Sequence, residues 1–240
     1  MKTLGIIGGI GPESTIAYYR TIIAAYRERR QDGSYPSVII NSIDMQKMLG
    51  LIANGEMISV TEYLIVQVQA LARAGADFGL FAANTPHIVF DAVSRQSPIP
   101  LISIVQATCD AAQSLGLSKL GLFGTRFTMQ GHFYQDVFSQ AGITLVVPEP
   151  DEQAYIHDKY MGELVEGIFL PETQKQLLRI ADRLEERAGI QGLILGGTEL
   201  PLILGSMAGG RLPFLDTTQI HIKAAVNRLL SSVSDTQLQK

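Results

Sequence analysis

The side chains best suited to proton transfer in this sequence are Glu199 and His87. Glu199 lies in Gly196-Gly197-Thr198-Glu199-Leu200-Pro201. A carboxyl group taken partly out of water moves up into the working range of a general base. His87 closes Ala83-Asn84-Thr85-Pro86-His87, and its ordinary imidazole pKa suits proton transfer near neutrality. The competing reading for His87 is a structural place at a helix start. For Glu199 it is hydrogen bonding to a ligand or to the fold. Neutral donors stand near both: Asn84, Thr85 and Thr198, with Thr125 and Thr128 in Gly124-Thr125-Arg126-Phe127-Thr128. Amides and hydroxyls hold a carboxylate without leaving a bare buried charge, and threonines serve equally as helix caps.

Gly8-Gly9-Ile10-Gly11-Pro12-Glu13-Ser14-Thr15 contributes backbone rather than side chains. At Gly9, Ile10 and Gly11 the chain can approach a ligand closely, and the helix start that follows attracts an anion. The glycine spacing is not G-x-G-x-x-G, and Asn41-Ser42-Ile43-Asp44 is a poor ribose-binding strand end. The expected ligand is therefore a small carboxylate rather than a nucleotide. A dicarboxylate would also need a cation; Lys47, Arg126, Lys159 and His157 are the candidates, against the ordinary reading of solvated surface.

Other chemistry is absent from the pattern. His132, His157 and His221 lack the spacing of a metal motif such as H-E-x-x-H, and neither a nucleophile elbow nor a Walker loop occurs. No metal site and no cofactor are expected. The one cysteine, Cys109, sits among alanines in a helical stretch and reads as packing. A net charge of −4 argues against a nucleic-acid partner, and 46% hydrophobic residues exclude disorder. No apolar run is long enough to span a membrane, and Met1–Gly8 lacks the apolar core and cleavage site of a secretory signal. A soluble cytoplasmic protein without membrane partners is the expectation.

These residues sit at the ends of short apolar runs that alternate with amphipathic ones. Strands are expected at 4–7, 37–41, 78–81, 101–104, 120–123, 144–147, 193–195 and 214–216. Helices are expected near 12–30, 57–74, 86–95, 106–115, 127–140, 152–166, 171–188 and 217–232. Unalternated strands followed by helices indicate an α/β chain with parallel sheets buried on both faces. The pattern also repeats: Leu4-Gly5-Ile6-Ile7-Gly8 resembles Leu120-Gly121-Leu122-Phe123-Gly124, Gly79-Leu80-Phe81 resembles Gly192-Leu193-Ile194, and Pro100-Leu101-Ile102 resembles Pro213-Phe214-Leu215. Two similar α/β halves follow from this order, with ligands expected beyond the carboxyl ends of their strands.

The opening at 8–15, Asn84-Thr85, Gly124-Thr125, Gly196 with Thr198-Glu199, and Asp216-Thr217 together resemble the aspartate/glutamate racemase family, on the branch nearer aspartate racemase. The resemblance covers essentially the whole chain. It implies two pseudo-symmetric Rossmann-like domains, residues 1–105 plus 216–240 and residues 106–215, with the active-site cleft between them. It also implies homodimers that need neither pyridoxal phosphate nor metal. The family moves a proton with two cysteines, in Cys-Asn-Thr and Gly-Cys-Thr-Glu motifs. Here those positions are Ala83 and Gly197, so the two-thiol mechanism has no thiols. The expectation is a cofactor-independent isomerase of this family that acts on or binds a small amino acid or dicarboxylate by another route. The alternatives are a diverged lyase or decarboxylase-type enzyme and a non-catalytic carboxylate-binding or regulatory protein. Restoring Ala83→Cys and Gly197→Cys together is the expected way back to racemisation.

Overall fold

The computed structural model describes residues 2–205 and 212–231. It contains two four-stranded parallel sheets. In the first, β1 (Thr3–Gly8), β2 (Ser37–Ser42), β3 (Phe78–Phe81) and β4 (Leu101–Ile102) lie in the order β2-β1-β3-β4. In the second, β5 (Lys119–Gly124), β6 (Thr144–Val146), β7 (Leu193–Gly196) and β8 (Phe214–Asp216) lie in the order β6-β5-β7-β8. The identical order is the structural form of the internal repeat.

The chain divides into two compact units. The first comprises Met1–Ala82, Asp91–Ile102 and His221–Lys240; the second comprises Ala83–Phe90 and Ser103–Ile220. The segment 83–90, expected in the first domain, groups instead with the second. The cause is local. A 3₁₀ turn at Thr85–Val89 and the Asn84 before it hydrogen-bond to side chains and backbone of the second unit. The expected boundary near 105 moves to 103 because α5 (Ile104–Ser114) starts two residues earlier than its pattern suggests, capped by the Ser103 hydroxyl at 3.2 Å from Gln106 N. Residues 216–220 also fall in the second unit, as Asp216 ends β8 and pairs with Leu195 of β7.

In the first unit, α1 (Pro12–Arg30) lays Tyr18, Ile22 and Tyr26, four residues apart, against Leu4 and Ile6 of β1 and Phe78 and Leu80 of β3. The last helix, α11 (Thr217–Leu230), brings Ile222, Ala225, Val226 and Leu229 to the same core. Two further helices, α2 (Met45–Ala53) and α3 (Met57–Arg73), follow β2. The sequence reading omitted α2, whose start is set by Asp44: its carboxylate accepts from Gln46 N at 2.9 Å and Lys47 N at 3.2 Å.

In the second unit the strands are apolar on both faces. Leu120 and Leu122 join Ile194 and Leu215 on one side with α5 and α7 (His132–Gln140). Phe123, Leu193 and Leu195 face the other side with Leu177, Ile180, Ala181 and Leu184 of α9 (Pro171–Ala188). Gly5 and Gly121 hold equivalent places in the repeat for the same reason. A Cβ on Gly5 would lie 2.8 Å from Leu71 of α3, and one on Gly121 would lie 2.9 Å from Leu184 of α9. The helix closes on the sheet only where the side chain is missing. Cys109 is buried in this core, as its packing pattern suggests.

Three expected helices are subdivided. Segment 86–95 becomes the 3₁₀ turn followed by α4 (Phe90–Gln96). Segment 127–140 breaks at Gly131 into α6 (Arg126–Gln130) and α7. Segment 152–166 is α8 (Pro150–Lys159), which runs on into a π-helical turn at Tyr160–Leu164. Within Leu200–Leu204, a short helix α10, Leu200, Ile203 and Leu204 join the core and Leu202 is exposed. The expectations for residues 206–211 and 232–240 lie outside the described residues. No described helix is long and apolar enough to cross a membrane.

One buried group of the first unit has a readable pH signature. His221 Nδ1 accepts from the Tyr18 hydroxyl at 2.9 Å, and Nε2–H donates to Ile102 O at 3.0 Å, so the ring is neutral. Burial pushes its pKa down to about 4 from 6.5. The unfolded chain therefore binds more protons in that range. The stability contributed by the neutral ring is complete above pH 6.5 and is lost as pH falls towards 4, by about 3 kcal/mol in total. We expect the difference between urea-unfolding free energies of the native chain and His221→Leu to shrink by this amount between pH 7 and pH 4. A pH-independent difference would contradict it.

Candidate functional site

The carboxyl ends of β5 and β7 and the turn after β3 gather the polar residues of the second unit. Asn84 is buried, and both ends of its amide are held. Tyr134 of α7 donates its hydroxyl to Oδ1 at 2.6 Å, and Nδ2 donates to Thr217 Oγ1 at 3.3 Å. Thr217 in turn donates to Leu195 O at 2.8 Å, which ties the chain to the last residues of β7. Burial pushes the Tyr134 phenol far up, so it remains a neutral donor.

Thr85, Thr125 and Thr128 form a buried row of hydroxyls, with Oγ1 separations of 3.4 Å and 3.2 Å along the row. Thr125 is also the cap of α6, accepting from Thr128 N at 3.3 Å. Of the uses expected of these threonines, the structure shows capping, at Thr125.

His87 is built into the backbone. Its Nε2 accepts from Ile104 N at 3.1 Å, so Nδ1 carries the proton and donates to Asn84 O at 3.2 Å. The ring stacks on Phe90 with centroids 4.9 Å apart. Each nitrogen already serves the main chain at the start of α5 or in the 3₁₀ turn. This geometry favours the structural reading of His87.

Glu199 is 1% exposed and precedes α10. Its Oε2 accepts from the Thr198 hydroxyl at 2.8 Å and from the hydroxyl of Tyr160. Tyr160 opens the π-helical turn and is itself buried. Burial, then the Glu199 charge, pushes its phenol well up, so the shared proton stays on the phenol. Tyr160 was not identified from the sequence. Its neighbours at four-residue spacing, Ile156 and Leu164, are core residues, and it reads as one more member of that face. Tyr134 was hidden in the same way beside Phe138.

The candidate cations have the following surroundings. Lys159 is paired with Glu163, which holds its ammonium above the usual range. His157 accepts from Arg126 N at 3.2 Å, and its pKa is lowered by burial and by the nearby Arg126 charge. Arg126 is exposed, and Lys47, in the first unit, lies over the Tyr63 ring. The loop of Gly9, Ile10 and Gly11 also belongs to the first unit. There Gly9 N–H is taken by Thr15 Oγ1 at 2.9 Å, and Ile10 is buried. Gly9 and Gly11 have φ of 79° and 86°, which only glycine adopts at ease.

The Asp/Glu/Hydantoin racemase profile matches residues 7–225. The chain belongs to this family. A Yersinia pestis protein, described in its crystal structure as a candidate Asp/Glu racemase, is 32% identical and superposes with a TM-score of 0.88 over 96% of this chain and 100% of that one. The structure of an aspartate racemase homologue from Pyrococcus horikoshii is 35% identical, with a TM-score of 0.83 over 96% and 100%. A glutamate racemase of Corynebacterium glutamicum is 32% identical over 152 residues, 61% of this chain and 52% of that protein.

Within this racemase-family fold the residues after β3 and β7 become the test of chemistry. Ala83 and Gly197 follow the two strands as expected. Gly197 has no room for a side chain: a Cβ there would lie 2.9 Å from Tyr160 Cζ and 3.0 Å from its hydroxyl oxygen, and closer still to Cε2. A cysteine at 197 therefore requires the Tyr160 ring to shift from its present place. Gly197→Ala should destabilise the protein by about 1–3 kcal/mol through overpacking. Combined with Tyr160→Ala, it should cost less than the two separate changes together, with coupling of about 1 kcal/mol. Urea unfolding of the four variants in this cycle measures it; strict additivity would show that the two positions do not compete for space.

Proposed function

We propose that this chain is a cofactor-independent isomerase of the racemase family, acting on a small amino acid or amino-dicarboxylate with Glu199 as proton acceptor. The observation that carries the reading is the buried Glu199 carboxylate at the end of β7, held by two hydroxyls. The amide of Asn84 and the hydroxyl row of Thr85, Thr125 and Thr128 belong to the same unit and suit the neutral recognition of a carboxylate. The two-thiol route is not part of the proposal. The chain has one cysteine, Cys109, which lies in the core with its thiol pushed up by burial. Similarity to the aspartate racemase homologue favours the aspartate branch, and the homodimer and cytoplasmic location complete the proposal.

The test is α-proton exchange by NMR in deuterated water with L- and D-aspartate and glutamate. Thermal shifts with the same compounds measure binding. We expect exchange with at least one of them. Glu199→Gln should slow it by about 10²–10⁴-fold, the usual contribution of a general base, while ligand-dependent thermal shifts remain. Binding without exchange in the native chain would leave a carboxylate-binding protein and remove the isomerase.

A further inference from the structure

We propose that Tyr160 is the proton-carrying partner of Glu199, so that a buried phenol–carboxylate couple at the end of β7 moves the proton. The inference rests on the proposed isomerase reading and goes beyond it by assigning the group that meets the substrate.

Four observations support the couple. The phenol and the carboxylate are both buried and share a hydrogen bond. Thr198 donates to the same oxygen, Glu199 Oε2, at 2.8 Å, which fixes the acceptor. The phenol oxygen lies 3.0 Å from the place of a Cβ on Gly197, at the strand end where the Thr198-Glu199 motif begins. Tyr160 stands at the junction of α8 and the π-helical turn, an irregularity of the kind common at functional sites, with Leu164 of the same turn in the core.

The step balances without an added reagent. As the substrate α-C–H bond breaks, its proton passes to the phenol oxygen and the phenol proton passes to Glu199 Oε2. The C–H electron pair stays on the α-carbon, delocalised into the adjacent carboxyl group. Reversal returns a proton to carbon. The total charge on the couple and substrate is unchanged, and no free phenolate forms. This suits a phenol whose ionisation burial opposes. Ala83, the residue after β3 that corresponds to the other family thiol, carries no proton. One couple working alone returns the proton to the face it left, so exchange should outrun inversion.

The experiment compares the native chain, Tyr160→Phe and a chain carrying 3-fluorotyrosine in place of Tyr160. We expect Tyr160→Phe to lose at least 100-fold in α-proton exchange while its ligand-dependent thermal shift persists. Fluorination acidifies the phenol and keeps its hydroxyl. The pH–exchange profile should then move to lower pH, and loss of an α-deuteron from labelled substrate should run slower in D2O than in H2O, because the phenol proton moves in the same step; a phenol that only positions Glu199 keeps its proton and gives no such solvent effect. Exchange in Tyr160→Phe within threefold of the native rate overturns this inference and leaves the isomerase standing. So does an unmoved pH profile in the fluorinated chain. Ligand binding by the native chain with no exchange overturns both, and no binding overturns the carboxylate reading itself.

Discussion

The burial of one carboxylate organises the second unit. Placing an ionised Glu199 at 1% exposure carries a desolvation penalty of several kcal/mol unless donors replace the lost water. Thr198 is the adjacent residue and supplies one donor. The other must come from a distant part of the chain, and Tyr160 supplies it from 39 residues away in sequence. That requirement explains two otherwise separate irregularities. Helix α8 passes into a π-helical turn at the point where the phenol must reach, and Gly197 has no side chain because the aromatic ring crosses that place. A larger residue at 197 and a tyrosine at 160 are alternatives, each excluding the other in the present geometry.

The two sheets show how a repeated backbone can hold unequal chemistry. Strand order is the same in both, and Gly5 and Gly121 admit a helix to the sheet at equivalent positions. After β3, however, the chain enters a 3₁₀ turn whose Asn84 amide and His87 ring are occupied by partners within the second unit. After β7 it presents a carboxylate coupled to a phenol. Repeat symmetry constrains the strand and the packing glycine, since both are needed to bury the sheet. It does not constrain the residues beyond the strand ends, where side chains are chosen by what they touch.

The same distinction explains how much was legible from sequence. Short apolar runs located the strands within a residue or two, because a sheet covered on both faces tolerates little else. Glu199, Asn84 and Thr85 stand out as candidates because they are polar groups next to such runs. Tyr160 does not, since an aromatic residue at four-residue spacing from Ile156 and Leu164 carries the signature of packing, and it also packs. The hydrogen bond that gives it another role joins residues 160 and 199 across the fold. His87 shows the opposite case: its residue type suggests acid–base chemistry, while the N–H of Ile104, 17 residues on, donates to its Nε2 and favours the structural place. Helix α2 was missed for a simpler reason. Its nine residues have too little length for a clear periodicity, while the Asp44 cap that defines its start resembles an ordinary loop aspartate.

Replacing a thiol pair by a phenol–carboxylate couple changes the electrostatic problem as well as the chemistry. A thiol becomes an effective base only after losing a proton that it ordinarily holds to about pH 8.5, so its surroundings must favour the thiolate. In the proposed relay the negative charge starts on Glu199, and the phenol remains neutral throughout. A carboxylate substrate then adds a second negative charge to the same unit. Fixed cations there would relieve the repulsion: Lys159 is paired with Glu163 and His157 is held towards its neutral form, while Arg126 is exposed with its charge near His157. In the proposed reading a carboxylate is met by oriented neutral dipoles: the Asn84 amide, fixed by Tyr134 and Thr217, and the hydroxyls of Thr85 and Thr125 in their row. Such dipoles gain strength in a dry site and need little reorganisation when charge moves to the substrate carboxyl group. In that proposal the two buried tyrosines divide the work: Tyr134 fixes the Asn84 amide and Tyr160 meets the Glu199 carboxylate.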